Sequence, residues 1–254
     1  MKRPRVIPVL LLQKDGLVKS VRFKNHNYIG DPINAVRIFN DLGVDELILL
    51  DIDASKEGRS ISTELVREIG EEANMPFSVG GGIDTIARIR EIVMAGAERV
   101  ILNSSALKNP EIIREASSAF GSSTIVVCID YKKNFFGKPK LYSHSGIRFT
   151  SIGPVEAAEM AESYGAGEVV LQSVDNDGRM SGFDTETIDL VNRSITVPLV
   201  ALGGAGKVSD FTELFHATGI NGIAAGSFFV YQGDTKGVLI RYPQIHSYCF
   251  EVPR

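Results

Sequence analysis

The stretch SVGGGIDTIARIREIVMAGAERVILNSSAL, residues 78 to 107, decides the fold, because it recurs as ALGGAGKVSDFTELFHATGINGIAAGSFFV at residues 201 to 230. Each copy has a Gly-Gly pair, a helix-patterned segment and a short apolar run that ends in a small polar pair. The spacing agrees, with 23 residues from Gly81 to Ser104 and 23 from Gly204 to Ser227. A second echo pairs DELILLDIDAS (45–55) with GEVVLQSVDND (167–177) and sets Asp53 against Asp175, an offset of 122. Repetition of this kind predicts two copies of a four-stranded half-barrel, about 1–122 and 123–240. By the same symmetry Leu11, in the strand-like run IPVLLLQKDG (7–16), answers Asp130 at the end of VVCID (126–130).

Working outward, eight short β-branched or apolar runs alternate with helix-patterned segments. They are RVIPVLLL, DELILLDI, PFSVGGG, RVILNSS, TIVVCID, EVVLQSV, PLVALGG and NGIAAGS. Eight β-α units in 254 residues imply an α/β fold, a single (β/α)8 TIM barrel over residues 1–254. No Pro/Ser-rich linker divides it. The two longest non-helical insertions, 13–32 and 131–153, read as loops on the catalytic face.

Composition narrows the function. A formal charge of −4 gives no basic field for nucleic acid, whereas a phosphorylated small molecule needs only a few backbone N–H groups. Two distant cysteines, Cys128 and Cys249, suggest neither a disulfide framework nor a zinc site and fit a reducing cytoplasm. The start MKRPRVIPVLLL has too short an apolar run and no small-residue cleavage site, so it reads as strand one and not as a leader. No apolar run is long enough for a membrane span. The run GGAGKV fails as a nucleotide loop, since Ala201 and Val208 stand where a glycine and a hydroxyl belong, and DNDG lacks the rest of a calcium loop. Neither metal nor cofactor is expected.

In a barrel of this type the active site lies at the C-terminal ends of the strands. There one cluster gathers Gly80, Gly81, Gly82, Asn103 and Ser104, and the other Asp177, Gly178, Gly203, Gly204, Gly226 and Ser227. Glycines let backbone N–H groups approach phosphate closely, and two matched clusters imply a substrate with a phosphate at each end. Tight strand-to-helix turns are the plainer explanation of the same glycines. Asp130 is placed as a general acid or base, although an Asp after a strand also serves as a cap or turn former. The histidines at 26, 144, 216 and 246 form no evident cluster and read as surface residues. At the opposite strand ends, Arg5, Glu46, Arg99 and Glu168 alternate in sign and could close a ring around the axis; ordinary surface ion pairs are the alternative.

Taken together, IPVLLLQKDGLVK, LDIDAS, VGGGI, GAERVILNSSAL, FGSSTIVVCID, GAGEVVLQSVDNDGRMSGFD and GGAGK resemble the cyclase subunit of imidazole glycerol phosphate synthase, to about residue 230. The resemblance implies a lyase barrel that docks a glutaminase subunit under its N-terminal face, draws ammonia through the barrel axis and cyclises a doubly phosphorylated ribonucleotide. It further implies that the two glycine-rich clusters hold the phosphates, that Lys19 helps cover the substrate, and that Arg5, Glu46, Arg99 and Glu168 are an ammonia gate, with arginine for the usual lysine at one position. Of the family's two catalytic aspartates, Asp130 is present and the other is Leu11. Gln172 stands where the cyclase carries a threonine. With GDPINAVRIFND and GVLIRYP, these departures resemble a divergent branch associated with acetamidino modification of bacterial surface sugars, alongside a separate ATP-using amidotransferase. A working histidine-pathway cyclase and a non-enzymatic phosphate-binding scaffold remain the alternatives.

Overall fold

The computed structural model describes residues 3–142, 152–233, 237–244, 248 and 250. Eight parallel strands form its centre: β1 (Arg5–Gln13), β4 (Leu47–Asp51), β5 (Phe77–Gly80), β6 (Arg99–Leu102), β7 (Ile125–Lys133), β9 (Glu168–Ser173), β10 (Leu199–Leu202) and β11 (Gly222–Ala225). The barrel closes where β1 meets β11, from Arg5 opposite Gly222 to Pro8 opposite Ala225. Both faces of each strand are buried, which is why the runs read as continuously apolar. Ile7, Val9 and Leu11 turn inward with Ile48, Ile101, Val126, Val170 and Val200, while Val6, Leu10 and Leu12 turn outward toward the helices.

The helices are α1 (Pro32–Leu42), α2 (Thr63–Glu72), α3 (Ile86–Met94), α4 (Ser104–Lys108), α5 (Glu111–Phe120), α6 (Pro154–Ser163), α7 (Thr185–Ser194), α8 (Val208–Thr218) and α9 (Ser227–Val230). Asp31, Ser62 and Thr85 cap the first three by accepting from the backbone N–H of Asn34, Leu65 and Arg88. Among the described residues no helix is long and apolar enough to cross a membrane.

Strand register bears out the correspondence of Leu11 with Asp130. Leu11 faces Leu50 across β1 and β4, and Asp130 faces Gln172 across β7 and β9. The Gly-Gly pairs need a correction of one residue. Leu50 faces Gly80 and Gln172 faces Leu202, so Gly81 answers Gly203, not Gly204. A Cβ on Gly81 would come within 2.7 Å of the Asp51 backbone oxygen, and one on Gly203 within 2.7 Å of that of Ser173. Close strand crossing therefore requires both glycines, whatever ligand is present.

The insertions differ from the loops expected. Residues after β1 fold into a hairpin of β2 (Gly16–Val21) and β3 (Lys24–Gly30), and β7 runs on to pair with β8 (Pro139–Leu141). Lys19 and Ser20 are buried in β2 among Leu17 and Val18, so polarity hid a strand that packs on both sides. Residues 143–151, including His144, lie outside the described residues, as do His246 and Cys249. The tail, unreadable as sequence, is fastened at several points. The Tyr242 hydroxyl donates to the Val6 carbonyl at 3.0 Å, while Tyr248 and Phe250 pack edge-on to Phe211 and Phe215 at 5.4 Å each.

Candidate functional site at the two ends of the barrel

At the C-terminal end of the strands lies a cavity of about 290 Å³. Its wall brings together Leu11, Leu50, Gly81, Gly82, Asn103, Ser104, Asp130 and Gln172. Side chains that sequence reading did not single out also line it, notably Asp51, Lys56, Arg59, Arg88, Lys108 and His26. Arg88 is held by the Gly82 carbonyl at 3.2 Å and the Asp84 carboxylate at 2.7 Å, which fixes the glycine turn from below. His26, read from sequence as a surface residue, is half-buried at the cavity, with Nδ1 at 3.2 Å from the Gln13 amide nitrogen.

Asp130 is buried at the end of the barrel interior, and its neighbours define its chemistry. The Asn103 amide donates to the Cys128 carbonyl at 3.0 Å and to Asp130 Oδ2 at 3.1 Å. The Cys128 thiol donates to Oδ1 at 3.7 Å. Burial pushes the Asp130 carboxyl up to about 7, against the opposing pull of those two donors, so near neutral pH it both gives and takes a proton. Asn103, expected at a phosphate, also orients Asp130 in this structure, and the Ser104 hydroxyl donates to Asn103 Oδ1 at 3.1 Å.

Leu11 has no comparable replacement. The carboxylate that ends the neighbouring strand β4, Asp51, is buried and already engaged: it pairs with Arg59 and accepts the backbone N–H of Asp53 at 3.1 Å and of Ala54 at 3.0 Å. The pairing Asp51–Arg59 has a sequence signal, an arginine eight residues after the strand-ending acid, that only the folded turn makes meaningful.

The second cluster is arranged differently. Lys19, Asp177, Gly178, Gly203, Gly204, Gly226 and Ser227 do not line this cavity. The Asp177 carboxylate accepts from the Ser20 hydroxyl at 2.8 Å and the Phe23 backbone at 3.1 Å, which ties the β2–β3 hairpin down over the second half-barrel. Lys19, expected on a covering loop, is on β2 with its ammonium fully buried. It donates to the Val9 carbonyl, and a Cβ on Gly226 would come within 2.6 Å of its nitrogen. Burial pushes this ammonium down to about 8, with Asp177 opposing the shift.

At the N-terminal ends the four charged residues form a closed circuit. Arg5 pairs with both Glu46 and Glu168, and Arg99 reaches Glu46 at 3.0 Å and Glu168 at 3.7 Å. Glu46 also accepts from the buried Ser78 hydroxyl at 3.0 Å. Burial works against the Arg5 charge, but the two carboxylates outweigh it and hold the guanidinium above its ordinary value. Between this neutral ring and the cavity the barrel interior is lined by Ile7, Val9, Ile48, Val126, Val170 and Val200. Among the described residues no set of three or more His, Cys, Asp or Glu side chains could hold a metal ion.

Residues 5–236 match the family model described as histidine biosynthesis protein. A Pseudomonas aeruginosa protein provisionally named imidazole glycerol phosphate synthase subunit hisF2 is 44% identical over 97% of this chain and 98% of its own length. A Leptospira interrogans protein with the same provisional style of name, subunit HisF, is 43% identical over 96% of each chain. The imidazole glycerol phosphate synthase subunit HisF of Streptococcus sanguinis is 38% identical over 91% of this chain and 92% of its own.

Proposed function

The chain belongs to the histidine biosynthesis protein family, and from that premise we propose that it is a cyclase-type barrel that receives ammonia from a glutaminase subunit docked under its N-terminal face and no longer runs ordinary ring closure. The observation that carries this reading is Leu11. It is buried in the cavity wall, and the adjacent Asp51 is tied to Arg59 and two backbone N–H groups. Lacking one of two acid/base groups lowers a rate by about 10²–10⁴.

The entrance argues for a retained route. The ring at Arg5, Glu46, Arg99 and Glu168 supplies a neutral, hydrogen-bonded gate, and the apolar interior above it favours neutral ammonia over ammonium. The product end, in this reading, serves acetamidino modification of bacterial surface sugars together with a separate ATP-using amidotransferase in the cytoplasm. A phosphorylated small molecule would occupy the cavity, where Lys108 and the carboxylate-paired Lys56, Arg59 and Arg88 lie near Gly82 and Ser104. A second reading, an active histidine-pathway cyclase forming imidazole glycerol phosphate, is favoured by one observation: Asp130 retains a proton affinity near neutrality in a cavity it shares with His26.

One assay separates the two. Purified barrel is incubated with ammonium and the doubly phosphorylated cyclase ribonucleotide beside an ordinary cyclase subunit. The first reading expects consumption at least about 10²-fold slower, and equal rates overturn it. For the gate, Arg99→Glu and the milder Glu46→Gln should each uncouple glutamine hydrolysis on an added glutaminase subunit from the barrel. Unchanged stimulation in both variants would remove the gate from the argument.

A further inference from the structure

The turn between β7 and β8 carries a feature that neither the ammonia route nor the cavity uses. It is closed by backbone hydrogen bonds: Asn134 N donates to the Lys138 carbonyl and Gly137 N to the Asn134 carbonyl, both at 2.9 Å. The Asn134 side chain accepts from the backbone of Phe136 and of Lys138, each at 3.0 Å. This hydrogen-bonded apex holds out Phe135 and Phe136, 97% and 82% exposed, with their rings edge to face at 5.6 Å. Among the described residues they are the most exposed large apolar side chains. Singly scattered apolar residues are ordinary on a surface, but an adjacent pair of aromatic rings at the tip of an ordered turn is not.

Cations flank the pair. Lys132 on β7 and Lys138 just before β8 are exposed, and Lys140 on β8 is half-buried. Lys133 is taken by Asp184 at 2.9 Å, and Lys132 lies 4.0 Å from Asp175. Lys138 and Lys140 have no ion pair among the described residues. The chain as a whole carries −4, so this positive collar is a local feature.

We propose that the β7–β8 hairpin is a reversible anchor on an anionic lipid surface, in which Phe135 and Phe136 enter the headgroup–acyl boundary while Lys132, Lys138 and Lys140 face lipid phosphates. The order of groups, aromatic at the apex and cationic behind it, follows the layering of a bilayer surface. Size points the same way. Two phenylalanine rings bury about 150–250 Å² each, which falls short of the roughly 800 Å² per side of a specific protein interface. A lipid boundary accepts rings singly and needs no matching surface. One such anchor gives weak binding and requires no membrane-crossing segment.

The test is sedimentation of the full chain with vesicles of phosphatidylcholine alone and with added phosphatidylglycerol. Binding is expected only to the anionic vesicles and should weaken as salt is raised. The double variant Phe135→Ser/Phe136→Ser should lower binding about tenfold or more, and Lys132→Glu/Lys138→Glu should remove the preference for phosphatidylglycerol. Because the chain has no tryptophan, Phe135→Trp gives a clean probe whose emission should shift to the blue with anionic vesicles. Neither phenylalanine touches the cavity, so thermal stability and any ribonucleotide turnover should be unchanged. Equal sedimentation with and without phosphatidylglycerol, or undiminished binding by the serine variant, overturns the proposal. So does a dimer in solution that the serine variant alone dissociates, since the rings would then cover a second copy.

Discussion

The two half-barrels end differently. In the first, Leu11 and Leu50 line an open mouth ringed by Lys56, Arg59, Arg88 and Lys108; in the second, Asp130 and Gln172 occupy the matching register positions, and Asp177 and Gly226 lie under a hairpin. That hairpin belongs to the first half in sequence and closes the second half in space. Strand register preserves the duplication, because hydrogen bonding between backbones is indifferent to side chains, while the side chains that the two halves bring to the shared mouth differ at single positions. Leucine at position 11 is therefore compatible with the same fold, the same roof and the same ring below.

The sharpest way to break the contrast is to restore symmetry. Leu11→Asp should raise consumption of the cyclase ribonucleotide with ammonium by about 10²–10⁴ if the rest of the mouth still fits that substrate, as read from initial rates. No change would mean that the cations and Gln172 have altered the pocket beyond the missing acid.

Next comes Asp130. Asp130 is pushed up to about 7 by burial, so between its ordinary value near 3.8 and about 7 the folded chain binds a proton that the unfolded chain has released. Its contribution therefore favours folding at low pH, is lost as pH rises through that window and is absent above about 7. Asp130→Asn should remove this slope and gain up to about 4 kcal/mol over the parent at pH 8 relative to pH 4, measured by denaturant unfolding. Parallel pH curves for the two proteins would show that the carboxylate is more hydrated than its burial implies.

Lys19 tests the other side of the roof. Its ammonium is pushed down to about 8 from 10.5 by burial, so below about pH 8 the folded state bears the full penalty of a buried charge, and stability rises between about 8 and 10.5. Lys19→Met should stabilise the chain at pH 7 by up to about 3 kcal/mol and flatten that rise. If the buried ammonium waits for an anion beside Gly226, inorganic phosphate should raise the melting temperature of the parent and not of the variant.

Much of this contrast was legible in the sequence. The repeat, the eight strands, the alternation of charge at strand starts and the exchange of Leu11 for Asp130 all follow from spacing, because barrel strands recur at intervals set by the helices between them. Three features were not. The Gly-Gly alignment is one residue out, since identical glycines give no phase and only the pairing of Leu50 with Gly80 and Gln172 with Leu202 supplies it. The β2–β3 hairpin was hidden because Lys19 and Ser20 are buried polar residues inside a strand. The hold of Asn103 on Asp130 was not legible either, since a contact of its amide with that carboxylate, at 3.1 Å, joins two strand ends 27 residues apart.

The smallest expected effect separates the two functional readings at the mouth itself. His26 arrives on β3, from the hairpin that follows the strand bearing Leu11, and its Nδ1 is 3.2 Å from the Gln13 amide nitrogen. If Gln13 donates, the proton is on Nε2, and the imidazole offers a donor to an anion in the cavity. His26→Asn keeps a donor of similar reach but no proton to exchange. In an ammonia-receiving barrel the variant should weaken protection by inorganic phosphate by only a few-fold, consistent with about 1 kcal/mol for one hydrogen bond. A working cyclase that uses the imidazole opposite Asp130 should instead lose turnover and one limb of its pH–rate profile, with phosphate protection little altered. The second outcome would mean that the mouth has moved its acid from the strand to the hairpin, and the asymmetry between the half-barrels would be one of position, not of chemistry.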